Sequence, residues 1–192
     1  TESLVRVDGE TGKMLEPLKL QGEHLFEVQD PTTGEWEMGA TFKFNDIKFD
    51  QAGNCLIGGM IVGSQTFFIY IVDLATGVCT KLIEERLYDN PDFTDNGYRF
   101  DAFGVAGDVT SNGVIMAADA TQPSWATYRW LIKDGVAAPA EQITLTMDPA
   151  VDKSLFIDAA GFGTAPQIFP QDEEGTLFYV DGFNMLPMLF DE

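Results

Sequence analysis

The chain has 192 residues, of which 45% are apolar, and sets 11 Lys and Arg against 31 Asp and Glu for a formal net charge of -20. A chain of this length can bury roughly 70% of the surface it exposes when unfolded, and 15 Phe, 5 Tyr and 3 Trp give it the bulk for a core. The acidic balance excludes duplex DNA, RNA and anionic bilayers, because neutralising phosphates needs clustered Lys and Arg; cations, basic proteins and neutral glycans remain as partners. No apolar run approaches the ~20 residues of a membrane span, so no transmembrane segment is expected; no signal-peptide pattern is read from Thr1 onward, with a mature, processed start as the alternative.

In chain order, Leu4 to Val7 reads as a strand leading into a turn at Asp8-Gly9-Glu10-Thr11-Gly12. Residues from Gln21 to Ala40 read as a long connection. Four strands follow, Asp46 to Phe49, Cys55 to Ile61, Thr66 to Val72 and Cys79 to Ile83, joined by short turns. Leu82 to Tyr88 has some helical character but is too short to displace an all-β reading. After a second long connection, Glu84 to Phe103, the grammar returns with Gly104 to Val109, Val114 to Ala118, Ala126 to Ile132 and Glu141 to Thr146. A third connection, Met147 to Pro166, precedes an incomplete copy.

The repetition has three phases. Gly53, Gly113 and Gly175 precede strands; Gly12, Gly77 and Gly135 follow them; Tyr98 to Ala102 resembles Leu155 to Ala159, with Phe44-Asn45-Asp46 as an eroded copy. All keep a spacing of roughly 60 residues, the signature of a repeat architecture. Asp, Asn and Gly at the turns tolerate positive φ or bond their own backbone, as short hairpins require. The expected fold class is therefore all-β and β-propeller-like, with about three four-stranded antiparallel blades, part of a larger propeller. A single propeller-like domain, 1–192, divides into a partial blade 1–20, blades 41–84 and 103–147, and a partial blade 165–192. Such blades bury both faces, so the run Thr66 to Val72 can be apolar almost throughout.

The segment Gly97 to Asp108, followed by Asn112 to Ala118 and Tyr128-Arg129-Trp130, resembles an uncharacterised group of Bacteroidetes envelope proteins with propeller repeats, a domain of unknown function. The resemblance spans roughly Asp46 to Thr146. It implies the fold and an extracellular, periplasmic or outer-membrane-associated location, and it transfers no catalytic residue.

Candidate chemistry is sparse. The one histidine, His24, has no Gly-x-Ser-x-Gly elbow to serve and reads as a surface or loop residue. Gly58-Gly59 lies inside a strand, where a close approach or bulge explains it. Cys55 and Cys79 open strands on opposite sides of Thr66 to Val72, roughly 9 to 10 Å apart by strand spacing and beyond the ~7 Å limit for bridging, so two buried thiols are expected. Asp89, Asp92 and Asp95 offer the oxygen ligands Ca²⁺ requires, without the EF-hand pattern; a solvated loop is the alternative. No other cofactor is implied.

The three long connections emerge on one face, and long loops on a rigid all-β scaffold commonly carry recognition. Trp36, Tyr88, Phe93, Tyr98 and Phe162 sit in them, with Trp125 in the turn Thr121 to Ala126. Asp46, Asp101 and Asp158 hold equivalent repeat positions near the innermost strands. Ligand-binding candidates are thus Trp36, Tyr88, Phe93, Tyr98, Asp101, Trp125, Asp158 and Phe162. Aromatics beside carboxylates suit sugar rings, and the same aromatics can also pin the loops. The sequence favours a non-catalytic extracellular or envelope binding module with a glycan or protein ligand. A carbohydrate-active propeller enzyme using loop carboxylates and a structural assembly pairing through blade edges, with additional blades or as a homo-oligomer, are the alternatives.

Overall fold

The computed structural model describes residues 3–25, 27–30, 32–38, 42–61, 66–86, 100–119, 127–143, 167–170 and 177–180. Among these there is no helix, and all strand ladders are antiparallel, in sheets of two, four and five strands. The strands are β1 (Ser3–Leu4), β2 (Leu18–Lys19), β3 (Glu27–Gln29), β4 (Trp36–Met38), β5 (Phe42–Phe49), β6 (Cys55–Ile61), β7 (Thr66–Val72), β8 (Cys79–Arg86), β9 (Phe100–Gly107), β10 (Asn112–Asp119), β11 (Thr127–Lys133), β12 (Val136–Ala137), β13 (Glu141–Ile143), β14 (Gln167–Pro170) and β15 (Leu177–Val180).

Two meanders form the centre. The first runs β5-β6-β7-β8 in spatial order. The second runs β9-β10-β11, with β12 and β13 both pairing along the free edge of β11. Those two short pieces take the place of one fourth strand, interrupted at Pro139, which has no N–H for the ladder. Leu82 to Arg86, within the stretch judged too short for a helix, is strand, inside β8.

Alternation explains why β7 is apolar on both sides. Phe67 and Ile69 join Leu56 and Ile83 against the second sheet, where Phe103, Val105, Ile115, Trp130 and Ile132 meet them. Phe68, Tyr70 and Val72 point the other way with Cys55, Ile57 and Cys79, covered by Leu4, Leu20 and Leu25. Burial on two faces removes the polar alternation a one-sided sheet would show. Gly58 allows the sheets to close, because a Cβ there would come within 2.7 Å of the Phe103 ring. The bulge lies opposite, between Phe44 and Asp46, where Asn45 is the extra residue.

Three polar ties lock the meanders together. The buried Asp50 carboxylate accepts the Val109 amide at 2.9 Å, and the Gln51 amide donates to the Gly107 carbonyl at 3.0 Å. Across the far ends of the sheets, Glu85 accepts Trp130 Nε1 at 2.6 Å and the Ala140 amide at 2.9 Å. Hydrogen bonds to a charged group contribute roughly 1.5–3 kcal/mol. Glu85→Ala is expected to lower the unfolding free energy by about 2 kcal/mol, read as a shifted urea midpoint with an unchanged slope; an unmoved midpoint would show the tie to be idle.

Cys55 and Cys79 are free and buried, two strands apart through Val72. Burial pushes both thiols above the usual cysteine range, so they stay protonated and inert at neutral pH. A thiol reagent is expected to modify neither in the folded chain and both in urea.

The N-terminal region departs from expectation. Gln21 to Ala40, read as a connection, contains the hairpin β3–β4, whose turn at Asp30 and Gly34 copies those at Asp8–Gly12 and Asp73–Gly77. In all three the glycine amide donates to the aspartate carbonyl, at 2.8, 2.8 and 2.7 Å, with the glycine at positive φ. Asp134-Gly135, matched by sequence to this set, is a two-residue turn with both residues at positive φ. The other glycine phase also shifts. Asp50 pairs with Asn54 as Asp108 pairs with Asn112, so Asn54 corresponds to Asn112, not Gly53 to Gly113. Gly175 and the copy at Leu155 to Ala159 lie outside the described residues.

Candidate functional site

The strand directions give the sheets two distinct ends. The turns at Asp50 and Asp108 touch each other, so the β5–β6, β7–β8 and β9–β10 turns share one end. Arg86 and Phe100, Asp119 and Thr127, and Ile143 stand at the other. The segments 87–99, 120–126 and 144–166 therefore leave from that second end.

At the short-turn end Asp73 and Asp108 are engaged within their own turns. Asp73 accepts the Thr76 hydroxyl and the Ala75 amide, both at 2.8 Å. Asp108 accepts the Thr110 hydroxyl at 2.6 Å and its amide at 2.8 Å. Both are held below the ordinary aspartate value by these bonds, the hydroxyl contributing most in each. Asp8 and Asp30 are lowered too, chiefly by the amides of Thr11 and Thr32. A depressed carboxylate adds stability above its unfolded pKa and loses it as pH falls through the folded value. Stability is therefore expected to decline on acidification below about pH 4, and a chain with all four changed to Asn should show a shallower acid limb; identical limbs would contradict this.

Asp46 is engaged within the fold. It contacts Lys48 Nζ at 3.0 Å and accepts the Phe103 amide at 3.4 Å, a further tie between sheets. Asp101 is the extra residue of a bulge in β9, opposite Ala118 and Asp119, whereas the β5 bulge at Asn45 lies opposite Gly58 and Gly59, two ladder positions nearer the short turns, so Asp101 and Asp46 do not hold matching places. Both inner strands thus bulge near the long-connection end, a device that re-aims a side chain.

Trp36 is a strand residue rather than a loop residue, opposite Gln29 in the β3–β4 hairpin. Its ring stacks on His24, centroids 3.9 Å apart and planes at 14°, with Lys81 Nζ 5.4 Å from its centroid. His24 Nδ1 lies 2.7 Å from Glu27, and Lys81 pairs with Glu84 at 2.5 Å. Trp36 is 36% exposed, with one ring face stacked on the His24 imidazole and Lys81 of β8 beside it. His24 belongs to this cluster, which sequence did not reveal.

Tyr88, Phe93, Tyr98, Trp125, Asp158 and Phe162, and the calcium candidates Asp89, Asp92 and Asp95, lie outside the described residues. Among the described residues no three His, Cys, Asp or Glu side chains group to hold a metal ion, and no helix is long and apolar enough to cross a membrane.

One family model, described as Domain of unknown function (DUF8500), matches residues 27–155. The chain belongs to this family. The DUF8500 match begins at β3 and takes in both central meanders, while β1–β2 and β14–β15 fall outside it. No curated protein and no solved structure matches the chain.

Proposed function

We propose that this chain is part of a β-propeller of the cell envelope and acts as a non-catalytic binding module, with a glycan or protein ligand at the long-connection end. Two stacked meanders support the propeller reading, as does the succession of inner strands, β9 beside β5 and β14 beside β9. The resemblance of Gly97 to Asp108 to envelope propellers supports the location.

The observation that carries the ligand's position is the difference between the ends. Asp50, Asp73 and Asp108 at the short-turn end are bound up in their own turns or between sheets. The segments leaving the opposite end hold Tyr88, Phe93, Tyr98, Trp125 and Phe162 among acidic residues. Rings stacking on the apolar faces of sugars, with carboxylates bonding hydroxyls, make a site of the usual kind, with few convergent polar groups. A glycan array tests this. Trp125→Ala is expected to reduce binding of the selected glycan at least tenfold, whereas Trp36→Ala, removing a ring engaged by His24, should change stability more than affinity. Release of cleaved product, abolished by one carboxylate substitution, would replace the module with an enzyme.

A further inference from the structure

Two apolar faces at opposite ends of the stack are each half covered, and the covered halves are complementary. On the face of the first meander turned away from the second, the outer strands are covered by Leu4, Leu20 and Leu25. The inner strand is not. Ile47 and Phe49 of β5 are 45% and 55% exposed, although their register partners Ile57 and Cys55 are buried.

On the face of the second meander turned away from the first, the arrangement is reversed. Ala106 and Met116 of β9 and β10 are buried there, and β14 and β15 lie against β9. The outer strands are open, with Leu131 47% and Val136 68% exposed. Register puts Leu131 opposite Val114, itself opposite Ala106, and Val136 opposite Lys133, so all belong to one face.

The contact inside the chain shows what such faces are for. Val105 stands three residues ahead of Asp108 and is buried against the preceding sheet. Ile47 stands three residues ahead of Asp50, the same place in its own sheet, yet is 45% exposed.

We propose that a second copy of this chain covers both faces, docking head to tail. One copy's β14–β15 pair covers Ile47 and Phe49 of the other, whose N-terminal hairpin covers Leu131 and Val136 of the first. Among the described residues each end leaves open the half that the other end covers, and the contact repeats the one between the two meanders. Head-to-tail contacts either close or grow into filaments. With two complete sheets per copy and the β1–β2 and β14–β15 pairs as half-layers, the β3–β4 hairpin standing apart from the count, two copies close a ring of six sheets, inside the usual range of roughly four to eight. The ring rests on the propeller reading. The charge of -20 on each copy opposes association, and screening over ~10 Å at 0.1 M salt relieves it, so assembly should strengthen with salt.

Light scattering tests this on the intact chain. The expected mass is twice 21.1 kDa, with the dimer fraction rising with ionic strength. Ile47→Glu with Phe49→Glu, and separately Leu131→Glu with Val136→Glu, should each yield a monomer with an unchanged far-UV spectrum, since the altered side chains are 45–68% exposed. Mixing the two variants should restore a 1:1 dimer, because one wild-type contact survives. A wild-type chain that stays monomeric at high salt, a dimer disrupted at one end only, or a mixture that stays monomeric would overturn the proposal. Cooperative unfolding of such a monomer would leave the stacked meanders standing, whereas its absence would remove the propeller reading as well.

Discussion

Trp130→Ala is expected to cost about 4 kcal/mol of unfolding free energy, in the range measured for buried Trp and Phe truncations. That is a large part of the 5–15 kcal/mol that holds a typical domain. Three losses converge at this residue. Its side chain is among the largest fully buried ones, and its removal leaves a cavity between two rigid sheets that cannot collapse together. Its ring lies 5.1 Å from Phe67 with planes at 24°, a stacked pair that adds roughly 0.5–1.5 kcal/mol beyond burial. Its Nε1 is one of the donors that satisfy Glu85. Trp130→Phe separates these contributions. It keeps most of the volume and the stacking, loses the donor, and should cost about 1–2 kcal/mol. Equal losses for Phe and Ala, read from urea midpoints, would mean that the hydrogen bond and not the packing dominates.

Asp50→Ala is expected to cost about 3 kcal/mol, because removing the carboxylate leaves buried donors without an acceptor. Asp50 accepts the Asn54 amide at 2.7 Å, Asn54 Nδ2 at 2.8 Å and the Val109 amide at 2.9 Å. The first two hold its own turn, and the third holds the next sheet. Asp50→Asn preserves the shape and still costs about 2 kcal/mol, because an amide group must turn one donor toward donors. Asp73→Asn, in an exposed turn with no partner in the other sheet, should cost less than either. If Asp50→Asn matches the wild-type midpoint, side-chain shape rather than acceptor chemistry makes the tie.

The two meanders were legible in the sequence because several signals agreed there. The apolar run from Thr66 to Val72 is long enough for a strand buried on both faces, and it is bounded by turns with Asp and Gly. The spacing of Cys55 and Cys79 also followed from that meander, which is why two free thiols were expected. The β3–β4 hairpin was not legible. Glu27-Val28-Gln29 and Trp36-Glu37-Met38 are short and mostly polar, so only the turn chemistry of Asp30, Thr33 and Gly34 announced it, and that signal stood outside the period being followed. Matching glycines also misaligned the repeat, because the conserved geometry belongs to Asp50–Asn54 and Asp108–Asn112, where Ser111 takes the place of Gly53.

The site was less legible than the fold for a physical reason. Ties such as Glu85 to Trp130, or Asp46 to the Phe103 amide, join residues far apart in sequence, and nothing local marks Glu85 off from the neighbouring Glu84. Trp36 stood out by residue type alone, and nothing in the sequence marks His24 as its stacking partner. The difference between the two ends was partly accessible from connection lengths. That the short-turn carboxylates are occupied by Thr hydroxyls and backbone amides needed the three-dimensional turns.

Amide hydrogen exchange with a ligand selected on the glycan array tests the central claim most directly, because it reports which end of the sheets is covered. Binding at the long-connection end should slow exchange within 87–99, 120–126 and 144–166, leaving the turns 50–54, 73–78 and 108–111 unchanged. Protection at those turns with none in the long segments would place the ligand at the opposite end and contradict the account.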